Sequence, residues 1–197
     1  MKIYDISQEV FSCAVYPGDP KPEKQTVYFT GAGDLYNLTS FAMCAHNGTH
    51  VDAPFHFVHN GKTVDQVDLS HFVGECFVAR HEGNVTATDA EEILKKANGA
   101  ERILIAGKAI VTAEAAEVFA ASGIRLLGNE GQTVGPENAP MQVHLILLRA
   151  GIALLEGVVL DKVVEGRYFL NAAPLNLGGA DGAPCRACLI DWEESHA

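Results

Sequence analysis

No run of apolar residues in this chain approaches the roughly 20 needed to cross a bilayer. The opening MKIYDISQEV has one Lys and no continuous apolar stretch, so no secretory signal is expected and the expected location is the cytoplasm. Basic residues are few. The 14 Lys and Arg stand against 25 Asp and Glu, a net charge of −11 with His neutral. Such a surface repels phosphate backbones, which excludes nucleic acid as an expected partner. Cysteine is scarce and odd in number: five, at Cys13, Cys44, Cys76, Cys185 and Cys188. Without a secretion signal they read as reduced thiols. Cys185 and Cys188 form a single C-x-x-C with no second pair. On a strand, positions three apart face opposite sides, so the pair reads as small core residues, not as a redox or zinc motif.

Apolar residues make up 48% of the 197 positions and charged residues 20%. That apolar content can offset the entropy of ordering a chain this long. The length suits one domain, residues 1–197, and no repeat, linker or low-complexity tract divides it. The first half reads as strands and loops, with strands expected at 1–6, 26–30, 35–45 and 72–80. The second half alternates. Thr88 with Glu91 reads as a capping box opening a helix that Asn98-Gly99 closes. A short buried strand follows at Arg102–Ala106. Thr112 caps a second helix that stops at Gly123, and a strand is expected at 124–127. A third helix is expected between Pro140 and Gly151. Extended segments follow at 152–155, 168–175 and 185–191. Strand–helix alternation implies parallel pairing with helical crossovers, while the early hairpin-like part implies antiparallel pairing. The expected class is mixed α/β, with one mainly parallel sheet, one antiparallel sheet and a helical layer.

Four of the eight histidines lie close together, at His46, His50, His56 and His59. The stretch His46-Asn47-Gly48-Thr49-His50-Val51-Asp52-Ala53-Pro54-Phe55-His56 holds Asn, Gly, Thr and Pro, all poor in a helix. Read as a strand, it sends His50, Asp52, Pro54 and His56 to one side and Val51, Ala53, Phe55 and Phe57 into the core. Two imidazoles and a carboxylate on one face suit zinc, manganese or iron. Gly48 gives His46 a turn by which to join them. His144 stands alone in the apolar run Val143–Leu148, where a histidine is usually a satisfied core residue. Glu156 follows a buried-looking strand, where a carboxylate is costly unless paired or bound to metal. Two awkward polar residues flank one helix-to-strand connection. His59, His71, His81 and His196 read as surface residues.

The motif H-x-G-T-H-x-D-x-P-x-H from His46 to His56 resembles the metal-dependent cyclase family, which includes bacterial kynurenine formamidase and isatin hydrolase. Asp5-Ile6-Ser7 and Tyr16-Pro17-Gly18-Asp19 resemble its N-terminal signature, His144 to Glu156-Gly157 its second metal motif, and Asp181–Leu189 its C-terminal strand. The resemblance implies His46, His50, Asp52, His144 and Glu156 as metal ligands. Asp52, with Glu156, would bridge if two ions bind. It implies His56 as general acid/base, and a swivelling β/β/α fold. The implied cofactor is a divalent ion, zinc with manganese as the alternative, one or two per chain. The implied reaction is hydrolysis of a C–N bond in a small amide or cyclic amide by metal-activated water, with arylformamidase activity first and isatin-type ring opening next. The family tends to form homo-oligomers, dimers or tetramers, with pockets shielded by a neighbouring chain. Tyr16 stands where formamidases tend to carry a Trp against the substrate. The segment after Gly107 is short where relatives often carry a longer aromatic loop. Asn129-Glu130-Gly131-Gln132 replaces an expected Asp and Ser. A lyase or dehydratase on the same scaffold would need the same ligands and base. A non-catalytic metal- or small-molecule-binding protein would not need His56.

Overall fold

The computed structural model describes residues 1–192. Its first part holds strands β1 (Lys2–Asp5), β2 (Glu23–Tyr28), β3 (Leu38–Ala42) and β4 (His50–Asp52). Then come β5 (Val73–Arg80), β6 (Gly83–Val85), helix α1 (Ala87–Ala97), β7 (Arg102–Ala106), β8 (Ala109–Val111) and α2 (Ala113–Ala121). The last part holds β9 (Leu126–Asn129), α3 (Met141–Arg149), β10 (Ala153–Glu156), β11 (Gly166–Asn171), β12 (Gly182–Pro184) and β13 (Cys188–Asp191). Among the described residues no helix is long and apolar enough to cross a membrane.

β7 shows how the layers are set. Its five residues are buried throughout. Leu104 and Ala106 enter one core, and Ile103 and Ile105 enter the other, beneath the helices. A continuous apolar run is what a strand covered on both faces requires. β5, β7, β9 and β10 run parallel, joined by crossovers that carry α1, α2 and α3. β11, β13 and β1 extend one side antiparallel, and β4 and β12 extend the other. The mixed α/β class stands, with parallel and antiparallel parts sharing one nine-stranded ladder. A small parallel sheet pairs β6 with β8. Three residues, 185–187, separate β12 at one edge from β13 near the other. That chain length spans at most about 14 Å, so the sheet must curl.

Several boundaries differ from the sequence reading. The box that opens α1 is Thr86 with Asp89, not Thr88 with Glu91: Thr86 N–H donates to Asp89 Oδ2 at 2.8 Å. Both pairs have the right spacing, and the earlier start puts Ala90, Ile93 and Ala97 on the buried face. Of the extended segment expected at 185–191 only Cys188–Asp191 is a strand, β13; residues 185–187, Cys185 among them, are the link that carries the chain from β12 between sheet edges. The strand expected through His56 ends at Asp52, and Pro54–His56 form a 3₁₀ turn. Pro54 has no N–H for a ladder and its fixed φ suits a first helical turn. Val51 and Ala53 are buried as expected, but Phe55 faces solvent and Phe57 is half-buried. His59 is exposed, whereas His71 and His81 are half-buried, and His196 lies outside the described residues. β2 and β3 form a separate antiparallel hairpin in which no residue from Glu23 to Ala42 is even half-buried.

Candidate metal centre

β4 lies between β10 and β12, with Glu156 opposite His50 on one side and Gly182 opposite Asp52 on the other. This sandwich gathers the polar residues. Asp52 is fully buried, and His50, His144 and Glu156 are nearly so. α3 packs on β10, so His144, one turn into the helix, meets Glu156 at the strand's end. His144 Nε2 lies 3.1 Å from Glu156 Oε1 and 3.5 Å from Asp52 Oδ2. His50 Nε2 lies 3.5 Å from both Asp52 Oδ1 and Glu156 Oε2. His46 Nδ1 lies 2.8 Å from Asp52 Oδ1.

Ring orientation is set by the backbone. His50 Nδ1–H donates to Gly48 O at 3.0 Å, and His144 Nδ1–H donates to Pro140 O at 2.9 Å. Each ring therefore aims Nε2 at the two carboxylates. In the neutral ring that nitrogen is a lone pair, and lone pairs facing carboxylate oxygens call for a cation between them. Asp52 Oδ2 is buried and accepts no hydrogen bond. Burial lowers the affinity of the His50 and His144 rings for protons, but Asp52 and Glu156 outweigh it and raise both to about 10. Burial pushes the Asp52 carboxyl up, yet the His144, His46 and His50 rings hold it well below the usual carboxylate range. The donors fit a divalent ion. One atom each from His50, Asp52 and Glu156 lie within 4.8 Å of one another, and so do atoms from His46, Asp52 and His56. Asp52 belongs to both groups.

His46, His50, His56, His144 and Glu156 floor and wall a cavity of about 220 Å³ that Tyr16, Asp19, Phe57, Gln132, Thr133 and Pro140 complete, with Asp52 buried behind them. Tyr16 is held by its hydroxyl, which donates to Glu137 O at 2.6 Å. Asp19, the last residue of the stretch that resembles the family's N-terminal signature, also faces this cavity. A larger hollow of about 820 Å³ adjoins it at Gln132 and Thr133, beside Gly107 and Lys108. The structure thus brings His46, His50, Asp52, His56, His144, Glu156 and Tyr16 to one place. His56 arrives from the 3₁₀ turn, with its ring stacked on His46 at 4.0 Å between centroids.

Residues 4–136 match a family model described as "Putative cyclase". The chain belongs to this cyclase family. A kynurenine formamidase of Erythrobacter litoralis is 32% identical, covering 98% of this chain and 96% of its own length. A solved structure described as a potential metal-dependent hydrolase with cyclase activity superposes with a TM-score of 0.82 at 29% identity, covering 98% of this chain and 99% of its own. Isatin hydrolase A from Labrenzia aggregata shares the fold, with a TM-score of 0.82 at 20% identity over 96% of this cyclase-family chain and 93% of its own.

One polar residue of the site entered the sequence reading only as the first residue of the stretch that resembles the family's C-terminal strand. Asp181, just before β12, places Oδ2 2.9 Å from His46 Nε2 and 3.2 Å from His56 Nδ1. Burial pushes its carboxyl up, but the His46 ring holds it below the ordinary value. In sequence it stands in Gly178-Gly179-Ala180-Asp181-Gly182, which reads as a turn.

Proposed function

We propose that this chain hydrolyses the C–N bond of a small amide, an aryl formamide in the first instance, with a divalent ion held by His46, His50, Asp52, His144 and Glu156. The observation that carries this is the pair of backbone-locked rings, His50 and His144, aimed at two buried carboxylates, one oxygen of which accepts no hydrogen bond. Zinc is the proposed ion, with manganese accepted by the same donors. Asp52, common to both donor groups, allows one or two ions. When bound, such an ion lowers the pKa of water to about 7 and polarises a carbonyl oxygen.

The chain's own residues supply the rest. His56 is half-buried at the cavity wall, and among the described residues its Nε2 makes no hydrogen bond. It takes the proton from water as the C–O bond forms and returns it to the nitrogen as the C–N bond breaks, a share of about 10²–10⁴-fold. Tyr16, tethered through its hydroxyl, and Phe57 offer ring faces to an aromatic substrate. The test is release of formate from N-formylkynurenine and simpler aryl formamides by zinc-loaded protein. Product unsaturation without formate would favour a lyase, and metal binding without turnover a binding protein.

We also propose a homo-oligomer, at least a dimer, built on the β2–β3 hairpin. A lone hairpin is marginal in water. This one exposes Val27, Tyr28, Phe29, Leu35, Tyr36, Leu38 and Phe41 by 41–96%. At roughly 150–250 Å² for a large aromatic side chain this amounts to several hundred Å², on the scale of the about 800 Å² per partner in a standard interface. The hairpin leaves the body between Asp19 and His46, both in the cavity wall, so a second copy seated on it lies beside the site. Light scattering at micromolar concentration tests this, and a 21.0 kDa particle overturns it.

A further inference from the structure

We infer that Asp181 is the positioning residue of this site: its carboxylate orients the His56 ring for proton transfer and braces His46 as a ligand. One oxygen, Oδ2, stands 3.2 Å from His56 Nδ1 and 2.9 Å from His46 Nε2, and a carboxylate oxygen has lone pairs for both N–H groups. A histidine whose Nδ1 proton is engaged keeps its Nε2 lone pair for proton uptake. That is the state a general base needs, and in His56 Nε2 is the nitrogen left free. For His46, donation through Nε2 turns the Nδ1 lone pair toward Asp52 Oδ1 at 2.8 Å, inside the donor group. A carboxylate behind a ligating imidazole fixes the tautomer and raises the basicity of the ligand.

The backbone around Asp181 is built for this placement. Asp181 O accepts from Ala53 N–H at 2.9 Å, which locks it beside the residue that follows Asp52. The next residue is Gly182, where a Cβ would stand 2.8 Å from His46 Cε1, so the His46 ring lies directly on β12. The Asp181 side chain itself is 42% exposed. It closes no core, so its replacement leaves the fold and the backbone bonds in place.

The His56 half of this inference rests on the hydrolytic reading above, and the His46 half does not. The experiment compares wild type, Asp181→Asn, Asp181→Glu, His46→Ala, His56→Ala and the double variant His56→Ala/Asp181→Asn. Zinc affinity is read by competition with a chromophoric chelator. Turnover of N-formylkynurenine is read at saturating zinc. Asp181→Asn is expected to weaken zinc by about 10–100-fold and to lower kcat by about 10–100-fold with KM nearly unchanged. Asp181→Glu keeps the carboxylate and recovers part of both. In the His56→Ala background, Asp181→Asn lowers kcat no further, because the two residues act as a unit. Unchanged zinc affinity and kcat in Asp181→Asn overturn the inference. So does a full further loss in the double variant, or a zinc loss equal to that of His46→Ala, which would make Asp181 a ligand. If His56→Ala itself keeps full turnover, the reading of His56 fails, and zinc affinity alone decides Asp181.

Discussion

His144 Nε2 stands 3.1 Å from Glu156 Oε1, across the connection that carries the chain from α3 into β10. Each residue is unfavourable by itself: an imidazole in an apolar helix, a carboxylate at the end of a buried strand. Antiparallel packing of helix on strand sets the start of one against the end of the other. Glu156 Oε1 also accepts from Val134 N–H at 2.8 Å, which ties the loop after β9 to the same point.

Ion binding should raise thermal stability. An ion present at about 1,000 times its Kd adds roughly 4 kcal/mol. A chain of this size gains roughly 2–4 °C per kcal/mol. Calorimetry of zinc-loaded protein against chelator-treated protein should therefore show a shift of about 8–16 °C. A shift below about 2 °C would count against a divalent ion at this site.

His56 and His50 should part company on substitution. His56→Ala should keep its metal and lose activity by about 10²–10⁴-fold. His50→Ala should lose metal and activity together, since its Nε2 faces both carboxylates. Metal stoichiometry beside turnover decides. Equal metal loss in the two variants would make His56 a ligand, as its place in a three-donor group allows.

Gly182→Ala should disturb the centre through the backbone. A Cβ at this position meets Val51 O at 2.5 Å and His46 Cε1 at 2.8 Å. The β4–β12 pair cannot open without losing its ladder, so the strain falls on His46. We expect a loss of about 1–3 kcal/mol in denaturant unfolding and weaker zinc binding. Wild-type stability and affinity in this variant would show that β12 yields freely.

Two thiols should resist modification in the native protein. Burial pushes Cys76 and Cys185 up to about 12, so almost no thiolate exists at pH 8. Mass spectrometry after alkylation at that pH should find both unmodified until denaturant is added. Rapid native labelling of Cys185, or a Cys185–Cys188 disulfide under mild oxidant, would revive the redox reading of the C-x-x-C pair.

The sequence by itself determined what is local. The apolar run Ile103–Ala106, the body of β7, asks for a strand buried on both faces wherever it lies. Thr112 caps α2, and Gly151, at φ +79°, ends α3, because these are contacts and conformations within one turn. The cluster from His46 to Asp52 was legible because its donors are six residues apart. Even there, period-2 reasoning ran past Pro54, which turned His56 out of the strand. Thr86 and Thr88 offered two capping boxes of equal spacing, and only the fit of Ala90 and Ile93 to the sheet chose between them.

The tertiary structure decided which distant residues share one cavity. His144 and Glu156 stood out as misfits, but a misfit does not name its partner. Asp181 opened the stretch that resembles the family's C-terminal strand, but nothing singled it out as a site residue, since Asp-Gly beside glycines is ordinary turn chemistry. It reaches His46, 135 positions away, because β12 pairs with β4 at the sheet edge. Strand order and register are settled by the packing of both cores at once, and no window of neighbouring residues contains that information.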